Sequence, residues 1–337
     1  MPPAWLTCGV YELARLRELI PRHAGKGMTR TAVFPGVSVI CSPTTTEPLG
    51  EVAEPALAVI AQGVKETALN GRTFSYGAGQ FAIVSVELPV IGHIVQASGD
   101  EPFLAFVLEL RPERIAALLL ETAPAATARP GAVNATPAGL AVSDASPALL
   151  DAIGRLLALL DAPDDAAALA AGVEREVLWR LITGPQGTTV RQIGMADSRL
   201  AHVARAIGWI RDHYDESLRV DELAALATMS VSSFHRHFRA VTSMTPIQLQ
   251  KQIRLHEARA RLLAEPGNVA GVGFAVGYDS PSQFSRDYRR IFGAPPSRDA
   301  LTLREAAVPA STPSPAVTPP RRSPWGAADQ ARGASKS

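Results

Sequence analysis

The sequence predicts an α+β protein. A β-barrel or sandwich domain fills the N-terminal half, and an all-α C-terminal domain follows, with two helix-turn-helix motifs joined by a linker helix. Three observations predict it. Between Val37 and Leu110, short apolar or alternating runs are punctuated by Gly, Pro and Asn, as closely spaced strands are. From Val220 to Ser297 one pattern occurs twice, displaced by fifty positions: Phe234 and Phe238 recur as Phe284 and Tyr288, Arg236 and Arg239 as Arg286 and Arg289, Ser230 and Ser232 as Ser280 and Ser282, and Pro246 as Pro296. A fixed offset means one supersecondary unit used twice. The region from Ser230 to Ser297 is also basic in a chain whose formal net charge is only +1, the local asymmetry expected of a phosphate-binding surface.

Tyr11 to His23 reads as a leading helix. Ala56 to Gln62 is a continuous apolar run, and Val64 to Leu69 is a half-polar strand. Asn70-Gly71 is the strongest short hairpin signal available, and Arg72 to Tyr76 is its return strand. Gln80 to Leu88, Ile91 to Ala97 and Phe103 to Leu110 complete the strands, and Pro112 to Glu121 is a closing helix. Thr122 to Ser143, rich in Ala, Pro, Thr and Gly, reads as an irregular link. Ser146-Pro147 opens a helix with Leu149, Leu150, Ile153, Leu157 and Leu160 on one face. Val173 to Leu181 is a further helix, Gly184 to Gly187 a turn, and Ser198 to Tyr214 a helix leading into the repeat. Beyond Leu303 the periodicity stops, and the composition is that of a disordered tail. The expected domains are therefore 1–125, a helical linker 126–197, a DNA-binding domain 198–303 and a tail 304–337.

In the first unit, Val220 to Ala227 is a short amphipathic helix. Thr228-Met229-Ser230 breaks it, and Ser230 caps a second helix, Val231 to Val241. Phe234, Phe238 and Val241 face inward. Ser232, His235, Arg236 and Arg239 form an outward stripe with no acid in it. Short helix, tight turn, basic helix is a helix-turn-helix layout, although an ordinary hairpin with a solvated face has the same pattern. In the second unit, Asn268 to Val276 takes the first helix's place and Gly277-Tyr278-Asp279 the turn. Ser280-Pro281-Ser282-Gln283 starts a helix with Phe284, Tyr288 and Ile291 inward. Gln283, Arg286 and Arg290 face outward, with Arg289 at the edge. Gly271 and Gly273 weaken this unit by about 1 kcal/mol each against Ala.

Between the units, Thr245-Pro246-Ile247-Gln248 is a capping box opening a helix to about Leu263. At ~1.5 Å per residue it spans roughly 25 Å. With the width of the units, that suits probes entering successive major grooves about 34 Å apart. Lys251, Arg254, Arg259 and Arg261, set against Glu257 and Glu265, read as part of the basic surface.

Composition narrows the classes. The chain is 47% hydrophobic, enough for sizeable cores, and its two cysteines, Cys8 and Cys41, point to a reducing, cytoplasmic setting without a disulfide scaffold. No stretch reaches a membrane-spanning length of ~18 apolar residues, and the N-terminus lacks the pattern of a signal peptide.

The segment MSVSSFHRHFRAVTSMTPIQLQKQIRLHEARARLL, followed by VGYDSPSQFSRDYRRIFGAPP, resembles the paired helix-turn-helix domain of the AraC/XylS transcriptional regulators. The segment ALAVIAQGVKETALNGRTFSYGAGQFAIVSVELPV resembles the cupin-like N-terminal domain of a subset of them. The resemblance implies a bacterial regulator, an activator in many members, that binds double-stranded promoter DNA, answers to a small-molecule effector and meets RNA polymerase. It also implies dimerisation through the helical linker, whose leucine stripe fits packing on the β domain equally. Base-reading positions carried over by the resemblance are Ser232, His235 and Arg236, and Ser282, Gln283 and Arg286. Gln283 has a rival role as a capping-box partner. Arg236 and Arg286 match the commonest base contact, Arg to guanine, and Arg239 and Arg290 suit phosphates.

A metal-dependent cupin enzyme is not expected. His93 is the only histidine between residues 24 and 201, and His235 and His237 point apart on a helix. Neither a cofactor nor a metal is expected. Arg72, Tyr76, Glu87 and His93 are polar groups that an apolar β interior would offer a ligand, but each fits an ordinary surface position. Two other functions remain beside a regulator: an architectural DNA binder without effector, and a DNA-repair enzyme using Cys8 or Cys41, which lack the four-cysteine metal set such chemistry uses.

Overall fold

Asn70 and Gly71 adopt φ of 47° and 81°, which only small or turn-forming residues tolerate. They close a hairpin that runs from Leu69↔Arg72 to Val64↔Gly77. The structure is a computed structural model that describes residues 4–25, 27, 29–122, 136–265 and 267–307. The N-terminal half comprises α1 (Ala4–His23), β1 (Thr29–Phe34), β2 (Val37–Ser42), β3 (Leu49–Ala53), β4 (Ala56–Gln62), β5 (Val64–Leu69), β6 (Arg72–Gly77), β7 (Gln80–Val84), β8 (Leu88–Gln96), β9 (Phe103–Glu109) and α2 (Pro112–Glu121). Then come β10 (Leu140–Asp144), α3 (Pro147–Ala158), α4 (Pro163–Thr183), α5 (Gly187–Gly194) and α6 (Arg199–Asp212). The C-terminal part is helical: α7 (Val220–Leu226), α8 (Val231–Thr242), α9 (Pro246–Ala264), α10 (Val269–Ala275), α11 (Pro281–Phe292) and α12 (Pro296–Ala307).

The strands form two antiparallel sheets, in the orders β1-β2-β9-β4-β7-β10 and β3-β8-β5-β6. Their apolar faces share one core, Val39, Leu57, Val59, Phe81, Ile83 and Phe106 from the first and Leu69, Tyr76, Leu88 and Val90 from the second. A polar pair inside is satisfied internally, Thr67 and Tyr76 bonding hydroxyl to hydroxyl at 3.0 Å.

The structure adds elements that the sequence does not announce. β1, β3 and β10 are short and carry polar or small residues. β10 lies in the segment expected to be irregular, where Gly139 lets the chain approach α8 closely enough for its N–H to meet the Val241 carbonyl at 2.8 Å. Residues 123–135 of that link lie outside the described residues. α4 extends well beyond the expected Val173 to Leu181, α5 was not expected, and α12 carries the helical structure past the boundary placed at 303. The remainder of the expected tail, 308–337, lies outside the described residues. The leucine stripe of α3 is buried: Leu149, Leu150, Ile153 and Leu157 pack within the protomer, where α1 is its main neighbour.

The core is not one body from end to end. The large cluster runs from α1 through the β domain and α6 into the first repeat unit as far as Ile253. A separate cluster, from Leu255 to Ala300 and including Tyr278, Phe284 and Tyr288, belongs to the second unit.

Candidate DNA-binding face

The repeat is geometrically real. α8 and α11 begin and end fifty positions apart, and each is capped by a serine, Ser230 or Ser280, whose hydroxyl accepts the N–H of the residue three further on. Each ends in a left-handed residue, Ser243 at φ 60° and Gly293 at φ 79°. A proline-started helix follows each in turn, α9 at Pro246 and α12 at Pro296. Phe234 and Phe238 in one, and Phe284 and Tyr288 in the other, are fully buried. That burial fixes the rotation of both helices, and the opposite faces are left to solvent.

All eight candidate residues lie on those outer faces: Ser232, His235, Arg236 and Arg239 on α8, and Ser282, Gln283, Arg286 and Arg290 on α11, every one exposed. The guanidinium contacts are weak or local. Arg236 reaches its own helix's Ser233 hydroxyl at 3.4 Å, and Arg286 the Ser282 carbonyl at 3.4 Å. Both retain further donors for a bidentate acceptor. Gln283 is not used for capping. Ser280 accepts its backbone N–H, but the reciprocal side-chain bond that completes the box at Thr245 and Gln248 is absent from this cap. Its amide instead borders a shallow depression shared with Lys251, Arg286, Asp287 and Arg290. His237, two residues from His235, is buried and bonds Thr136 at 2.5 Å. Burial, then Arg199 and Arg236, hold its imidazole below the ordinary value.

The connector corrects the sequence reading. Its basic residues are committed to the fold and do not form an open phosphate surface. Arg254 donates to three carbonyls, of Tyr214 at 2.5 Å, Gly277 at 2.6 Å and Glu216 at 2.7 Å. Arg259 forms a fork with Asp299 at 2.8 and 3.0 Å and stacks over Phe292. Asp299 also accepts the Tyr288 hydroxyl at 2.7 Å, so α12 is pinned under α11. Arg261 bonds Glu257 and the Tyr214 hydroxyl. Lys251 meets Asp287 at 2.5 Å, and Arg290 lies 3.5 Å from the same carboxylate. Asp287 is thus an anchor within the basic face that periodicity alone missed. Its signal was its place one residue before Tyr288, on the inward side of the stripe.

Gly273, expected to weaken the second unit, has a packing reason. A Cβ there would press against the Phe284 ring at 3.1 Å, so the glycine lets α10 approach α11.

The β-domain polar groups singled out earlier have partners within the chain. Arg72 stacks over Phe74, Tyr76 bonds Thr67, Glu87 pairs with Arg211, and His93 lies 3.7 Å from Glu66. Among the described residues no cluster of His, Cys, Asp or Glu has the makings of a metal site, and no helix is long and apolar enough to cross a membrane. Cys41 is a free thiol that burial pushes above its ordinary value.

Two family models match the chain. Residues 33–189 match a family model described as an AraC-type transcriptional regulator N-terminus, and residues 223–300 match a helix-turn-helix domain. Among curated relatives, the chain is 26% identical over 161 residues to the transcriptional activator RhaS of Escherichia fergusonii, covering 47% of this chain and 56% of that one. It is 36% identical over 120 residues to the transcriptional regulator CdhR of Pseudomonas aeruginosa, covering 36% and 34%. The chain therefore spans about half the length of the first relative and a third of the second. A solved structure of ToxT from Vibrio cholerae O395 aligns with 82% of this chain and 100% of that one, at 8% identity and a TM-score of 0.49, a distance at which nothing is transferred from it.

Proposed function

Because the chain belongs to the AraC-type family of transcriptional regulators, we propose that it is a sequence-specific DNA-binding regulator whose β domain reports the presence of a small molecule. The carrying observation is the pair of exposed faces at the starts of α8 and α11, Ser232, His235 and Arg236 on one and Ser282, Gln283 and Arg286 on the other, set by buried aromatics fifty positions apart. On this reading each face enters a major groove, Arg236 and Arg286 read guanine, and Arg239 and Arg290 hold phosphates. The effector shifts the balance between conformations that do and do not bind the promoter. Contact with RNA polymerase, self-association and a cytoplasmic setting belong to the same proposal. The names of the relatives, an activator and a regulator, support it.

Selection of duplexes from a random library tests it. The full chain is expected to enrich a motif with two separated halves. Arg236→Ala and Arg286→Ala should each cost ~1–3 kcal/mol and relax base preference in one half only. Enrichment of nothing beyond random sequence, or equal weakening on all duplexes, would overturn the assignment.

A further inference from the structure

The sensing role raises the question of where a ligand sits, and the structure offers a place outside the β core. A cleft of about 510 Å³ opens at the seam between the β domain and the helical segment. Pro55 and Val86 form one wall, and Ile193, Leu200 and Ala204, from α5 and α6, form the other. The volume is that of a small organic ligand, and the walls are mostly apolar, as such sites are.

Glu87 lies in this lining. One of its carboxylate oxygens takes the Arg211 guanidinium across the seam. The other, Oε2, is buried without a hydrogen-bond partner. A buried carboxylate oxygen left unpaired is costly, and turning the Glu87 side chain toward a donor on a ligand in the cleft it lines would relieve it. Glu113 adds a second carboxylate to the lining and Arg205 a guanidinium, which already reaches the Ala196 carbonyl at 3.3 Å.

The cleft also touches the machinery it would have to govern. Leu200 and Ala204 belong to α6, whose Val203, Ile207 and Ile210 are buried in the same core as Leu223 and Phe234 of the first reading unit. A ligand wedged against α6 is therefore one helix away from α8.

We propose that this seam cleft is a binding site for a small apolar molecule carrying one protonated amine or amidine, with the Glu87 carboxylate taking the cationic nitrogen and α6 passing occupancy to the first reading unit. The inference rests on the regulator reading for its consequence, but binding itself is measured without DNA.

The test uses the full chain, titrated calorimetrically with 2-phenylethylamine, its neutral counterpart 2-phenylethanol and the anion 3-phenylpropanoate. The amine is expected to bind at one site at least tenfold more tightly than either control. Glu87→Gln should remove that preference, and Leu200→Trp should abolish binding by filling the cleft. Should Leu200→Trp fail to fold, Ala204→Phe fills the same space from the next turn of α6. No binding of the amine, equal binding of the controls, or undiminished binding by the filled variant would overturn the site. A chain that selects a duplex motif while the amine misses the cleft keeps the regulator reading and loses this one. A chain that binds the amine as described but selects no duplex does the reverse.

Discussion

Arg254 shows how a charge that reads as surface is absorbed by the fold. Its three carbonyl partners come from the loop after α6 and from the turn of the second unit, separated from it by 40, 38 and 23 positions. No local pattern announces partners so distant, which is why the connector's basic residues look in sequence like a phosphate surface. The outer faces of α8 and α11 were legible for the opposite reason. Their positions follow from helical periodicity around Phe234, Phe238, Phe284 and Tyr288, and those aromatics are fully buried. The two classes of arginine separate by experiment. Arg254→Met should lower unfolding stability by about 2–4 kcal/mol in urea titration while leaving the salt dependence of DNA binding unchanged. A reduced salt slope with unaltered stability would show that Arg254 holds a phosphate instead.

At the scale of elements, the two units are alike in backbone and unlike in support. The first shares its core with the β domain, while the second relies on a small cluster of its own and on the Arg259–Asp299 pair. Gly271 and Gly273 in α10 add to the difference. Amide hydrogen exchange is accordingly expected to be faster in α10 and α11 than in α7 and α8, and the reverse order would contradict this account. Legibility at this scale followed local signal strength. The Asn70-Gly71 hairpin, the serine and proline helix starts and the fifty-residue offset all have local chemistry that specifies them. β3 and β10 do not: Leu49–Ala53 is half exposed, and Leu140–Asp144 follows a Pro- and Ala-rich stretch, so only their neighbours make them strands.

Across the whole molecule, the β domain is fastened to both units. The Asn70 amide donates to the Ser243 carbonyl at the end of α8 at 2.6 Å. Gly50 of β3 seats against His256 of α9, leaving no room for a Cβ, and the His256 ring meets Phe292 of α11 edge-on at 5.4 Å. Burial at this junction, with Arg259 nearby, pulls the His256 imidazole from 6.5 down to about 4. The unfolded chain takes this proton below pH 6.5 and the folded chain only near 4, so stability is lost as pH falls through that window. At ~1.4 kcal/mol per pH unit, the expected loss from His256 is about 2 kcal/mol by pH 5. Urea midpoints at pH 7.5 and pH 5 check it: His256→Gln should show a clearly smaller difference than the unaltered chain, and an equal difference would assign the acid sensitivity elsewhere.

Those fastenings make the β domain a caliper whose jaws rest on the far ends of both probes. The distance between the probes then depends on three surfaces, and the connector alone does not set it. On the proposed reading, DNA carrying one extra base pair between its half-sites would have to pry a jaw loose before both halves could be gripped. A change in the grip of the β domain would therefore register as altered tolerance for operator spacing, even where affinity for the ideally spaced operator hardly moved.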